Sequence, residues 1–229
     1  MLKTKIKHIF FDLDHTLWDF DKNSGLSFKQ IFEEKNIHLN LEAFLKIYEP
    51  INFSYWKLYR EEKITKEKLR YRRLKDTFEA LNYEISDELI DQISEDYIEY
   101  LPNNNFLIEG TLEILNYLKP SYKLHIITNG FERVQQVKLE KSNINSFFDV
   151  VVTSDSVGVK KPNAKVFEYA LKEAGANKEN SLMIGDSYEA DVLGAQALDI
   201  TPIYYNEKNV PVESDVKSIN SLLELKKIL

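Results

Sequence analysis

The sequence predicts an α/β fold: a three-layer parallel sheet interrupted by an inserted helical domain. Beyond Gly110, short β-rich runs alternate with helical ones, a pattern that gives a parallel sheet covered by helices on both faces. One more strand-like run, Lys7 to Asp12, stands near the N-terminus, about 110 residues before the next, far more than a loop spans. No glycine falls between Leu26 and Glu109, and only Pro50 and Pro102 interrupt that stretch, which is rich in Glu, Lys, Leu and Ile. Such a segment reads as helical. The expected division is a core domain of residues 1–16 and 107–229 and a helical cap domain of residues 17–106.

Within the cap, "SDELIDQISEDYIEYL" places Leu89, Ile90, Ile93, Tyr97, Ile98 and Leu101 at helical spacing behind Ser86, Asp87 and Glu88, a good helix start. "LEAFLKIYEPINFSYWKLYR" is also helical, with a kink or break expected before Pro50. The aromatic group Phe53, Tyr55, Trp56 and Tyr59 reads as packing between cap helices, the rival being a surface on which a base stacks.

After Gly110 the expected order is strand "YKLHIITN", helix "FERVQQVKLEKS", strand "FDVVVTS", helix "PNAKVFEYALKEAG", strand "SLMIGD", helix "YEADVLGAQAL" and last strand "ITPIYYN". "INSLLELKKIL" closes the chain as a helix. Pro162 is expected in the first turn of its helix and Gly175 just past its end.

Composition excludes several classes of function. With 43% hydrophobic and 29% charged residues the chain can bury a core and stay solvated. A net charge of −7 leaves no broad basic footprint for nucleic acid or an anionic membrane. The absence of cysteine removes disulfides, thiolate catalysis and thiolate-bound zinc, and fits a reducing, cytoplasmic setting. The start "MLKTKIKHIFF" is too short in apolar residues for a secretory signal, and no run approaches a membrane span.

The chemistry collects at the strand ends, where parallel α/β sheets bind ligands. The first strand ends in Asp12, Asp14 and Thr16; the second in Thr128, Asn129 and Gly130. "VGVKKP" with Lys160 and Lys161 follows the third, and "GDSYEAD" with Asp186 and Asp191 follows the fourth. Two carboxylates at the end of an apolar run repel each other and lose hydration, so a cation is expected nearby. Asp12, Asp14, Asp186 and Asp191 against one lysine leave three uncompensated negative charges, and a dication reduces these to one. Mg²⁺ suits such an oxygen site. Alternation along an extended strand lets Asp12 and Asp14 face one reacting centre. One carboxylate can attack phosphorus while the other moves the proton, with Thr128 and Lys161 holding the phosphoryl oxygens. His15 is expected to point away from Asp14, in a structural role or at the substrate's edge. Lys160 is expected in solvent, and His8, His38 and His125 look scattered.

Together "DLDHT", "ITN", "VKKP" and "GDSYEAD" resemble, in order, the four motifs of the haloacid dehalogenase superfamily, and the likeness covers the whole chain, the helical insertion matching one class of cap. The resemblance implies a Rossmann-like core with strand order 5-4-1-2-3. It also implies Asp12 as nucleophile, Asp14 as general acid and base, and Lys161 as the stabiliser of a phosphoaspartate. Thr128, with Asn129 and Lys161, is implied to bind phosphate. Mg²⁺ is implied to be held directly by Asp186, with Asp12, the Asp14 main-chain carbonyl and, through its shell, Asp191. Longer stretches ("DHTLWDF", "TNGFERVQQVKLEKSNINSFFD", "VGVKKPNAKVFEYAL", "IGDSYEADVLGA") look like the house-cleaning pyrimidine 5′-nucleotidases of that superfamily. The expected activity is therefore Mg²⁺-dependent hydrolysis of pyrimidine nucleoside monophosphates (UMP, dUMP, dTMP and modified analogues) by a monomer or weak homodimer. A phosphosugar or phosphoglycolate phosphatase or mutase is the alternative. A hydrolytic dehalogenase is the more distant one, since it would need neither Asp14 nor a metal. Phe20 and Phe131 are the aromatic residues expected nearest the substrate.

Overall fold

A computed structural model describes residues 5–211 and 215–229. The chain divides into two compact units, one made of residues up to Phe20 together with Asn105–Leu229, the other of Asp21–Asn104. Among the described residues no helix is long and apolar enough to cross a membrane.

The first unit is built on a parallel sheet of six strands: β1 (His8–Phe11), β2 (Lys123–Thr128), β3 (Phe148–Thr153), β4 (Ser181–Gly185), β5 (Thr201–Tyr205) and β6 (Ser218–Ile219). Their order is β3-β2-β1-β4-β5-β6. The expected five-strand order is thus present, with β6 added beyond β5. Because β1 lies between β2 and β4, its register sets the ends of all three: Phe11 stands opposite Ile126 and Ile184. The sheet is buried on both faces, which is why its central strands are apolar runs rather than alternating ones. Phe10, Ile127, Val152 and Met183 pack on one face against Val166, Phe167 and Ala170 of the helix Ala164–Ala174. On the other face Ile9, Phe11, Leu124, Ile126, Leu182 and Ile184 are all buried. Where the chain leaves this unit and returns, residues 17–19 and 106–108 are tied to each other: Asp19 N–H donates to Phe106 O and Ile108 N–H to Leu17 O.

The second unit contains α1 (Phe20–Glu34, beginning at the boundary), α2 (Leu41–Arg60), α3 (Lys66–Ala80) and α4 (Asp87–Tyr100). Asn40, Thr65 and Ser86 cap α2, α3 and α4 through their side chains. The aromatic ring of Phe28 lies 4.6–4.8 Å from those of Phe44, Tyr48 and Tyr97, which closes the bundle core. Arg73 is buried there too, bonded to Asn52 Oδ1 at 3.0 Å and lying 4.9 Å from the Tyr97 ring centre.

Several local expectations are corrected. The helix α2 runs unbroken across Pro50; the proline only removes one donor to the Lys46 carbonyl, and the surrounding bundle keeps the helix intact. Pro162 lies outside its helix, which is capped by Asn163, while Gly175 ends it with φ 59° as expected. The stretch after β4 is not a plain α-helix but opens with a π-helical turn, Tyr188–Leu193. The closing segment forms β6 before its short helical turns. Of the four cap aromatics, Tyr59 is buried, Tyr55 and Trp56 are half-buried, and Phe53 is exposed.

The histidines that look scattered in sequence include a pair. Adjacent strands bring His8 Nδ1 within 3.0 Å of His125 Nε2, both buried. Burial, then the neighbouring His8, pulls the His125 pKa down to about 4. The folded chain therefore keeps His125 neutral while the unfolded chain binds a proton below its ordinary value of 6.5. Stability from this source is complete above pH 6.5 and is lost as pH falls towards 4, by at most about 3 kcal/mol. Urea unfolding at pH 7 and pH 5 should show this loss, and His125→Leu should remove most of the difference. Parallel pH profiles for the two proteins would refute the assignment.

Candidate active site

The site is built where β1 stops. Asp12 N–H still donates to Ile184 O at 2.9 Å, so this residue prolongs the strand and its direction is fixed by the sheet. The chain then turns. Leu17 and Trp18 N–H both donate to Leu13 O, and His15 takes a positive φ of 61° with its ring 4.9 Å from Phe20. Strand alternation thus ends before Asp14, and the two carboxylates take separate partners.

Asp12 Oδ1 accepts from Lys161 Nζ at 2.7 Å. The same ammonium donates to Asp191 Oδ1 at 2.6 Å and to Ile127 O at 2.7 Å, so all three of its hydrogens are used. Lys161 is 2% exposed. Burial pushes its pKa down, but the charges of Asp12 and Asp191 outweigh this and hold it above the ordinary lysine value. Burial pushes the Asp12 carboxyl well up, and Asp191 and Asp186 add to it against the pull of Lys161.

Asn129 sets the loop that carries this lysine. Its Nδ2 donates to Lys161 O at 3.0 Å and its Oδ1 accepts from Lys161 N–H at 2.7 Å. The side chain expected at a phosphate is therefore engaged with the main chain of Lys161. Thr128 Oγ1, at the end of β2, accepts from Gly130 N–H and from Gln135 Nε2, which leaves its own hydroxyl hydrogen to donate.

Asp12, Asp186 and Asp191 each bring a carboxylate oxygen within 4.8 Å of the others. Thr16 Oγ1 both accepts from Asp186 N–H and donates to Asp186 Oδ1. Burial first, and then Asp191, pushes the Asp186 carboxyl up to about 7. Asp191 uses Oδ1 on Lys161 and Oδ2 on Ser187 N–H, so both its oxygens have donors. The approach of Asp191 depends on Gly185: a Cβ there would lie 2.2 Å from Asp191 Oδ2. Three carboxylates facing one ammonium form an oxygen-only donor set with excess negative charge, which fits a hard dication such as Mg²⁺.

Asp14 lies apart from that cluster. Lys138 Nζ donates to its Oδ1 at 2.6 Å and Gln135 Nε2 to its Oδ2 at 2.9 Å. These two residues, on the helix Glu132–Lys141 of the first unit, belong to none of the four short motifs. A signal exists: Phe131, Val134, Gln135, Lys138, Leu139 and Ser142 are all buried at helical spacing, so a glutamine and a lysine occupy core-facing positions. Lys160, by contrast, is half-exposed and Phe131 is buried beside the β2 end.

An aspartate–lysine centre with adjoining acids stands at the C-terminal edge of a parallel sheet, where such folds place their chemistry. The model of the haloacid dehalogenase-like hydrolases matches residues 6–199, and the chain belongs to that family. It is 33% identical over 225 residues to the pyrimidine 5′-nucleotidase YjjG of Escherichia coli, covering 96% of both chains. It is 30% identical to a glyceraldehyde 3-phosphate phosphatase of Methanothermobacter thermautotrophicus, covering 98% of this chain and 100% of the relative. The magnesium-bound crystal structure of YfnB from Bacillus subtilis superposes with a TM-score of 0.88 at 27% identity, covering 98% of this chain and 99% of that one.

The close approach at Gly185 yields a direct test. Gly185→Ala should force Asp191 off Lys161, lower stability by about 1–3 kcal/mol and weaken Mg²⁺ binding measured by calorimetry. A variant with unchanged melting temperature and unchanged Mg²⁺ affinity would contradict this geometry.

Proposed function

We propose that the protein is a Mg²⁺-dependent phosphomonoesterase that works through an aspartyl-phosphate, and that its substrates are pyrimidine nucleoside 5′-monophosphates. The observation that carries this reading is the separate holding of two acids: Asp12 on Lys161 beside Asp186 and Asp191, Asp14 on Lys138 and Gln135. A nucleophile and a proton carrier do different work on one phosphoryl group, and here each acid is held by its own donors.

Mg²⁺, held by Asp12 and Asp186 with Asp191 behind them, would neutralise phosphoryl charge as Asp12 approaches. Asp12 attacks phosphorus, and the bond to the ester oxygen breaks. Asp14 gives its proton to that departing oxygen, so the alcohol leaves neutral. Asp14 then takes a proton from water as the water oxygen attacks the phosphoryl group, which releases phosphate and restores Asp12. Lys161 compensates the charge of Asp12 when the carboxylate is regenerated, and the hydroxyl of Thr128 donates to a phosphoryl oxygen. A dehalogenase would use Asp12 against carbon and have no work for Asp14, so the doubly held second acid favours the phosphatase. The nucleotide preference rests on the likeness to YjjG and on the stretches around "DHTLWDF" and "TNGF". Residues 21–104, inserted in the chain between β1 and β2, are proposed as the cap that selects the leaving group.

Asp12→Asn should abolish turnover while leaving the fold intact, and Asp14→Asn should impair it severely; near-normal phosphatase activity in Asp12→Asn would sink the mechanism. Chelation should stop activity and Mg²⁺ restore it, with Asp186→Ala raising the Mg²⁺ requirement more than Asp191→Ala. The substrate is decided by kcat/KM for UMP, dUMP and dTMP against glyceraldehyde 3-phosphate, hexose phosphates and phosphoglycolate. A nucleotide should lead by about tenfold or more, roughly 1.4 kcal/mol of transition-state preference. A triose or sugar phosphate leading by that margin would replace the nucleotidase reading while leaving the phosphatase.

A further inference from the structure

The two donors to Asp14 lie outside the four short motifs at the strand ends, and their geometry is more constrained than charge neutralisation needs. Gln135 and Lys138 stand three residues apart on one face of the helix Glu132–Lys141, and each reaches a different oxygen of the same carboxylate. Gln135 has a second obligation. The other hydrogen of its Nε2 goes to Thr128 Oγ1 at 2.7 Å, which links Asp14 to the end of β2. Gly130 makes room for that amide, since a Cβ there would lie 2.3 Å from Gln135 Nε2.

Lys138 is enclosed. It is 2% exposed, and its Nζ lies 4.1 Å from the Trp18 ring centre and 5.4 Å from that of Phe20. Among the described residues its one ion pair is with Asp14. A lysine on the surface could neutralise Asp14 with no desolvation. A buried one, walled by two aromatic faces, gives up hydration and loses the freedom of its flexible stem. What this arrangement supplies is a fixed direction.

We propose that Lys138 and Gln135 are positioning residues for Asp14, which hold the plane of its carboxylate so that the proton passes along one line to the leaving oxygen and back from water. This inference rests on the phosphatase reading. A proton carrier left free to rotate must be reoriented in each turnover, so its contribution falls even when its chemistry is intact. The effect depends on the leaving group. A ribose 5′-oxygen needs the proton as it departs, whereas nitrophenolate leaves without one.

The test compares kcat/KM, which reports the steps up to leaving-group departure, for UMP and for p-nitrophenyl phosphate in the wild type, Lys138→Met, Gln135→Leu and Asp14→Asn. Lys138→Met and Gln135→Leu should each lose about tenfold or more in kcat/KM on UMP beyond their loss on p-nitrophenyl phosphate, with Asp14→Asn showing the same bias more strongly. Equal losses on the two substrates, or no loss on either, would overturn the positioning role. Should Lys138→Met not fold, Gln135→Leu alone decides by the same bias. A wild type that hydrolyses neither substrate would instead remove the phosphatase reading, a result distinct from a variant that lacks the bias.

Discussion

The ammonium of Lys161 is the constraint on which the site depends. A buried charge is tolerable only when every hydrogen has an acceptor and a counter-charge is close, and Lys161 meets that condition with Asp12, Asp191 and the Ile127 carbonyl. Those three acceptors come from the ends of β1 and β2 and from the π-helical turn after β4, so one lysine ties three elements together. Removing it would leave two carboxylates facing each other without a cation. The sheet exists in this register partly to bring these groups to one point: Phe11 opposite both Ile126 and Ile184 puts the strand ends level.

A second constraint follows from the first. The cation that steadies Asp12 cannot also serve Asp14, because all of its hydrogens are used. The second acid therefore carries its own lysine, and the turn through Leu13–Trp18 directs it there. Asp186 adds a third carboxylate to the two that Lys161 holds, and burial first, then Asp191, pushes it up to about 7. That excess gives a divalent cation its place. The supports are small and specific: no side chain at Gly185 or Gly130, an amide at Asn129 clamping the main chain of Lys161, a hydroxyl at Thr16 on Asp186.

Much of this was legible in the sequence because strand ends in a parallel sheet are punctuated. "FFDLD", "IITNG" and "MIGD" each pass from apolar to polar within one residue, which marks the edge of the sheet and the groups on it. The fold class followed from alternation, and the helical insertion from the want of glycine. Other features depended on tertiary contacts that no local pattern contains. Of the kink or break expected at Pro50, the break did not form: α2 continues through it, packed among the other cap helices. Asp12 and Asp14 bind different partners because the chain turns after Leu13 instead of staying extended. Gln135 and Lys138 stand out only by their place in the buried stripe from Phe131 to Ser142. The pairing of His8 with His125 required knowing that β1 and β2 are adjacent.

The central claim is that Asp12 becomes covalently phosphorylated. Rapid acid quenching of the Mg²⁺-loaded protein during turnover of a nucleoside monophosphate, followed by mass analysis of its peptides, tests this directly. The account predicts one added phosphoryl group on the peptide that contains Asp12, located at that residue, appearing with the released nucleoside and disappearing as phosphate forms. Turnover with no phosphoryl group on that peptide, or with the group on another residue, would contradict it.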